Sequence, residues 1–159
     1  MEIKKRFYLS KKEIKNIKKE LAKIFKDDIL PKKGLELVIT DKFDLILSDK
    51  EPIAIKIDDK IFPTINLLTK YPADFKKVII DMGAIKYLIN GADVMIPGIV
   101  EIDEDIEEGD VVVVLDEKHK KPICVGIALL SAKEIKEKDK GKAIKNIHYV
   151  GDEIWNFKG

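Results

Sequence analysis

The stretch that decides the fold is Asp81-Met-Gly-Ala-Ile-Lys-Tyr-Leu-Ile-Asn-Gly-Ala-Asp-Val-Met-Ile-Pro-Gly-Ile99. Asp81 is a helix-capping residue, and the next residues with helical periodicity are Ala84, Ile85, Leu88 and Ile89. They predict a short helix from Gly83 to Asn90 with those four side chains turned inward. Gly91 then fits the left-handed position that ends a helix. Asp93–Ile96 reads as a strand, and Pro97-Gly98 as a tight turn. A short capped helix followed at once by a strand and a turn fits a small, tightly connected domain.

Outward from that stretch, strands dominate. Val78-Ile-Ile80 precedes it as a strand. An acidic loop, Glu101 to Asp110, follows with seven acids. Strands are predicted at Asp110–Leu115 and Ile123–Leu130. Ser131-Ala-Lys-Glu134 is a capping box that opens another short helix. Lys140-Gly-Lys142 is a break, and Ala143–Tyr149 the next strand. Gly151-Asp-Glu153 makes a turn and Ile154–Phe157 a closing strand, with Trp155 as a plug beside Tyr149. Many short strands with few helices predict a small barrel over residues 77–159.

The first 76 residues read differently. Residues 2–9 form a strand, and Ser10-Lys-Lys-Glu13 is a second capping box. Ile14, Ile17, Leu21, Ile24 and Phe25 follow at spacings of three and four, one apolar stripe of a helix. Lysines at 11, 12, 15, 18, 19, 23 and 26 occupy much of the rest, a solvated face or a contact with an RNA backbone. After the break at Pro31-Lys-Lys-Gly34, short strands at Leu35–Ile39, Leu45–Leu47, Ile53–Ile57 and Lys60–Phe62 make an antiparallel meander. Pro63–Leu68 is a short helix, and the junction falls near Asp74–Lys77. The fold class is therefore an α+β N-terminal domain, residues 1–76, followed by a mainly β barrel, residues 77–159.

Bulk composition narrows the function less. Net charge is +1, but residues 1–76 carry 18 Lys and Arg against 13 acids, and residues 77–159 carry 12 against 16. RNA affinity depends on local clusters of cations, so a near-neutral total predicts a confined footprint rather than none. The single cysteine, Cys124, lies in an apolar run, which predicts a buried, inert thiol and excludes a disulfide within the chain. His119 and His148 do not stand in a metal-binding spacing. No phosphate loop or nucleophile elbow occurs. No apolar run approaches the ~20 residues that span a bilayer, and Met1 is followed by charges rather than an apolar leader. The sequence predicts a cytoplasmic, non-enzymatic protein without cofactor, metal or membrane contact.

The second half resembles the PUA family in order, spacing and residue type. The resemblance rests on residues 81–99, then on Glu108-Gly-Asp-Val-Val-Val-Val114, Pro122-Ile-Cys-Val-Gly126, Ser131-Ala-Lys-Glu-Ile135, Lys140-Gly-Lys-Ala143 and Gly151-Asp-Glu-Ile-Trp155. Phe62-Pro-Thr-Ile-Asn-Leu-Leu-Thr-Lys-Tyr-Pro72 and Ile144-Lys-Asn-Ile-His-Tyr149 are similar to the malignant-T-cell-amplified-sequence (MCT)/ligatin group and its archaeal members. The resemblance implies a pre-PUA domain followed by a PUA pseudo-barrel. It also implies an RNA-binding role in translation, on ribosomal RNA or the tRNA acceptor end. The partners it implies are RNA, the small ribosomal subunit and a separate translation-factor chain. The rival readings are a non-catalytic adaptor and an RNA-targeting subunit of an RNA-modification complex.

A site for unpaired RNA needs close backbone approach, free N–H donors, a few cations and an apolar platform. Gly83 and Ala84 at a helix start supply the first two, because a helix N-terminus attracts anions. Gly91-Ala92 and Pro97-Gly98 add small-residue ledges, and Lys86 can reach toward the same groove. The resemblance extends the set to Met95 and Ile99, and to Lys140, Lys142 and His148 on a late strand. Bland alternatives stand beside these readings: helix ends for Gly83 and Gly91, core for Met95 and Ile99, solvent for Lys86, and an internally bonded strand histidine for His148.

Overall fold

In the computed structural model, which describes residues 1–159, the chain divides into two compact units. One comprises Met1–Asp74 with Glu153–Gly159, and the other Phe75–Asp152.

The first unit contains β1 (Ile3–Tyr8), α1 (Lys11–Leu21), β2 (Leu35–Thr40), β3 (Asp44–Ser48), β4 (Glu51–Ile57), β5 (Lys60–Pro63) and α2 (Ile65–Lys70). The strands form one antiparallel sheet in sequence order. The meander forms because each apolar run is followed by a polar turn, and Asp49, Lys50 and Asp58 take the left-handed backbone such turns need. Ser10 caps α1 as the sequence predicts: its side chain accepts from the Glu13 N–H while Glu13 accepts from the Ser10 N–H. Ile14, Ile17 and Leu21 are buried along one face of the helix.

The second unit is the barrel. It contains β6 (Lys77–Ile80), a tight 3-10 turn over Met82–Ala84, α3 (Ile85–Leu88), β7 (Val94–Met95) and β8 (Ile99–Ile102). β9 (Val111–Asp116), β10 (Pro122–Ala128), α4 (Ala132–Glu137) and β11 (Lys142–Tyr149) complete it. Strand order is β7-β11-β10-β9-β6-β8, with β6 and β9 parallel and the other pairs antiparallel. This nearly closed sheet encloses Val78, Ile80, Leu88, Val94, Ile106, Val112, Val114, Cys124 and Ile144. Burial pushes the Cys124 thiol far above its ordinary pKa, so it is inert at physiological pH.

Four details differ from the sequence reading. Ile99–Ile102, whose last two residues fall in the acidic loop expected from Glu101 to Asp110, is a strand paired with β6. Val100 and Glu101 are adjacent and both exposed while Ile99 and Ile102 pack on the core, because the register shifts between Ile79 and Ile80, so no period-two alternation marks the strand. The helix predicted over Gly83–Asn90 is a 3-10 turn and a single helical turn, and Ile89 is exposed rather than inward. Ile154–Phe157 forms turns, not a closing strand, and groups with the first unit. There Arg6 donates to the carbonyl of Gly159 (2.8 Å) and Lys42 pairs with Glu153 (3.2 Å). Trp155 belongs to that segment and is only half-buried, so it does not plug the barrel.

Candidate nucleic-acid interface

The barrel has an open hollow, about 760 Å³, between the α3 region and β7. Its walls are built by short, local hydrogen bonds. Asp81 accepts from the Ala84 N–H (2.9 Å) and its own N–H donates to the Gly98 carbonyl (2.9 Å), so the 3-10 turn and the Pro97-Gly98 turn are pinned together. That brings Gly98 against Ala84; a Cβ on Gly98 would meet the Ala84 Cβ at 3.2 Å. Gly91 has φ +92 and faces the Tyr149 ring, a backbone conformation that favours glycine. Asn146 on β11 ties down the segment between α3 and β7. Its side-chain amide donates to the carbonyls of Leu88 (3.1 Å) and Ala92 (3.0 Å), and its N–H donates to Asp93 (2.9 Å).

The hollow is lined by Gly83, Ala84, Gly91, Ala92, Met95, Pro97, Gly98 and Lys142, all named from the sequence. Leu88, Val94, Asp81, Asp93 and Tyr87 complete the wall. Gly83 and Gly91 are exposed and Gly98 half-exposed, so the shelf is open to a ligand. Met95 is 45% exposed and therefore not core.

Tyr87 is the residue that sequence reasoning missed. It is 59% exposed, one helical turn from both Gly83 and Gly91, and the Lys86 ammonium sits 5.2 Å from its ring centre. The signal was present in that spacing of four. An exposed aromatic beside glycines is a surface on which a base can stack.

Other expected residues lie elsewhere. Lys86, Lys140 and Ile99 do not line the hollow. Ile99 packs against the barrel core, whereas Lys86 and Lys140 are exposed. Gly141, next to Lys140, accepts from the Ile96 N–H (2.9 Å), which keeps that lysine's loop alongside. His148 is withdrawn from the site. It is 1% exposed, and its Nδ1 is 2.8 Å from the Asp152 carboxylate, which also accepts from the Tyr149 N–H. A bulge opposite Val125 and Gly126 shifts the register of β11, so His148 pairs with buried Val125 and not with the core-facing residues of β10.

The expected anion site at the helix start is also corrected. Carboxylates already occupy the N–H groups of Met82 (Glu117, 3.1 Å) and Ala84 (Asp81). Lys142, the one cation on the wall, lies 3.3 Å from Asp93. With Asp81 and Asp93 against Lys142, the lining has no net positive charge. Its chemistry is that of an apolar, aromatic-edged shelf with two carboxylates that can accept from base amino groups or a ribose hydroxyl.

No group of three or more His, Cys, Asp or Glu side chains is placed to hold a metal, and no helix is long and apolar enough to cross a membrane.

Comparison with known proteins follows this division of the chain. Residues 76–150 match the family model described as PUA domain, and residues 5–71 match one described as a domain of unknown function (DUF1947). The chain is 66% identical to an uncharacterized protein of Methanocaldococcus jannaschii over the full length of both. It is 38% identical to translation machinery-associated protein 20 of Schizosaccharomyces pombe, covering 81% of this chain and 75% of that one. With malignant T-cell-amplified sequence 1 of Rattus norvegicus the identity is 30%, over 91% and 86% of the two chains. A solved PUA domain protein from Thermoplasma acidophilum superimposes with a TM-score of 0.77 at 31% identity, covering 94% and 97%.

Proposed function

Because the chain belongs to the PUA-domain family that includes translation machinery-associated protein 20 and malignant T-cell-amplified sequence 1, we propose that it is a non-catalytic RNA-binding protein of translation. The RNA it engages is an unpaired segment of ribosomal RNA or the tRNA acceptor end. The small ribosomal subunit and a separate translation-factor chain are its proposed partners.

The observation that carries this reading is the open shelf of Gly83, Gly91 and Gly98, edged by exposed Tyr87 and Met95. Side-chain-poor backbone lets ribose come close, and base faces stack on Tyr87 and slide against Met95. Asp81 and Asp93 accept from exocyclic amino or 2′-hydroxyl donors. Shape and stacking, rather than charge, select the ligand in this hollow.

The test is a fluorescence-anisotropy titration of short single-stranded RNA. Tyr87→Ala, which removes the stacking face, is expected to weaken binding by about tenfold, from ~1–3 kcal/mol per stacked base. Gly98→Val, which fills the shelf, is expected to do at least as much. Unchanged affinity in both folded variants overturns the assignment of the hollow. Crosslinking in cells with sequencing of the bound RNA then separates ribosomal from tRNA targets.

A further inference from the structure

The hollow leaves the phosphates unaccounted for, and the first unit offers an answer. Along α1, Lys11, Lys15 and Lys18 recur at intervals of four and three residues, on one side of the helix. Lys32 and Lys33, from the break before β2, face them. Together with Ile14 these five lysines make up the lining of a cleft of about 470 Å³ that contains no carboxylate. Lys18 alone is paired, with Asp28 at 3.4 Å. Lys11, Lys15, Lys32 and Lys33 have no ion-pair partner.

This placement does not serve folding. The chain has 29 acids for its 30 Lys and Arg, enough to pair most of them. Lys11 stands at the first position of the helix, where a cation opposes the dipole. Lys11 and Lys15 are like charges one turn apart, which weakens a helix. A cluster that costs stability and leaves four of its five lysines without a counter-charge is arranged for an anion from outside.

We infer that the cleft between α1 and the Lys32-Lys33 segment is a second RNA site, which holds backbone phosphates while the barrel hollow holds bases. Four residues of helix advance about 6 Å, a step suited to a strand carrying a phosphate on every nucleotide. A protein partner fits less well. Lysine is depleted at the cores of protein interfaces, which want aromatic and apolar anchors, and the only apolar lining here, Ile14, is 1% exposed. The inference rests on the RNA-binding reading but concerns different residues.

The experiment uses the full chain and two labelled probes, a mixed-sequence single-stranded RNA long enough to span several sites and a trinucleotide. The combined variant Lys11→Gln, Lys15→Gln, Lys32→Gln, Lys33→Gln is expected to bind the long RNA about tenfold or more weakly. Its dependence on log salt is expected to be shallower by about 0.7 for each phosphate that is no longer neutralised. Its trinucleotide binding stays unchanged, and the matching Lys→Arg variant keeps wild-type affinity. These Gln substitutions remove unfavourable charge from α1, and a thermal melt checks that the fold is intact.

If the Gln variant binds long RNA with wild-type affinity and salt slope while Gly98→Val weakens it, the cleft is refuted and the hollow stands. If the Gln variant weakens binding and Gly98→Val does not, the cleft stands and the hollow is refuted. If polyglutamate of matched charge displaces the long RNA from the wild-type protein more effectively than unlabelled RNA does, the cleft belongs to an acidic polypeptide and the inference fails.

Discussion

At the scale of single residues, three glycines do three different jobs. Gly91 is needed for its backbone and Gly98 for the space it leaves, both at the hollow. Gly126 lies away from the hollow, on β10, where a Cβ would run into the Lys145 carbonyl and stand 2.6 Å from the Ile144 side chain. Gly126→Ala is therefore expected to destabilise the barrel by about 1–3 kcal/mol, the range for overpacking, measured by urea unfolding. An unchanged midpoint would contradict the close approach of β10 and β11. Buried Asp116 offers a second prediction. Burial pushes its carboxyl up, but the backbone N–H groups of His119 and Lys121 outweigh that and hold it below its ordinary value. Asp116→Ala strands those donors and should cost about 2 kcal/mol. The roles of Gly83, Gly91 and Gly98 at turns were legible because glycine and proline punctuate a sequence. His148 was not, since plain alternation from core residue Ile144 puts it on the core face, the bulge in β10–β11 moves it to the other face beside buried Val125, and nothing local announces that bulge. Tyr87 was overlooked because aromatic residues usually signal core.

At the scale of elements, the capping boxes are the clearest link between sequence and structure. Both Ser10–Glu13 and Ser131–Glu134 form reciprocally, as the spacing predicts. Ser10→Ala is expected to cost about 1 kcal/mol, read as a lower unfolding midpoint with α1 the first helix to lose protection in hydrogen exchange. The same contacts set a pH dependence. Backbone N–H groups of the two serines hold Glu13 and Glu134 below the ordinary carboxyl range, and the Arg6 guanidinium does so for Glu36. A carboxylate with a depressed folded pKa contributes stability that is complete above its unfolded value and lost as pH falls through the folded one. Ordinary values are 4.5 for Glu and 3.8 for Asp, so stability should be level near neutrality and fall below about pH 5. Thermal melts that show rising stability toward pH 3 would contradict these contacts. Strand β8 escaped the sequence reading because its four residues run into a block of acids, and only pairing with β6 identifies them as sheet.

At the scale of the whole molecule, the chain returns to its first unit after completing the barrel. Sequence order suggested that residues 153–159 finish the second domain. Their contacts with Arg6, Lys42 and the N-terminal amino group assign them to the first. Deleting Glu153–Gly159 should speed amide exchange in β1–β3 while β9–β11 keep their protection. The reverse pattern would contradict the division into units. Such a return is invisible in a linear pattern, because the partners lie more than a hundred residues away. The functional claim is most directly tested by mapping amide chemical shifts while a short single-stranded RNA is added to the intact chain. The largest changes are expected at Gly83, Ala84, Tyr87, Gly91, Met95 and Gly98, with none in the acidic stretch from Asp103 to Glu108. No change around the glycine shelf, at RNA concentrations that saturate binding, would contradict that claim.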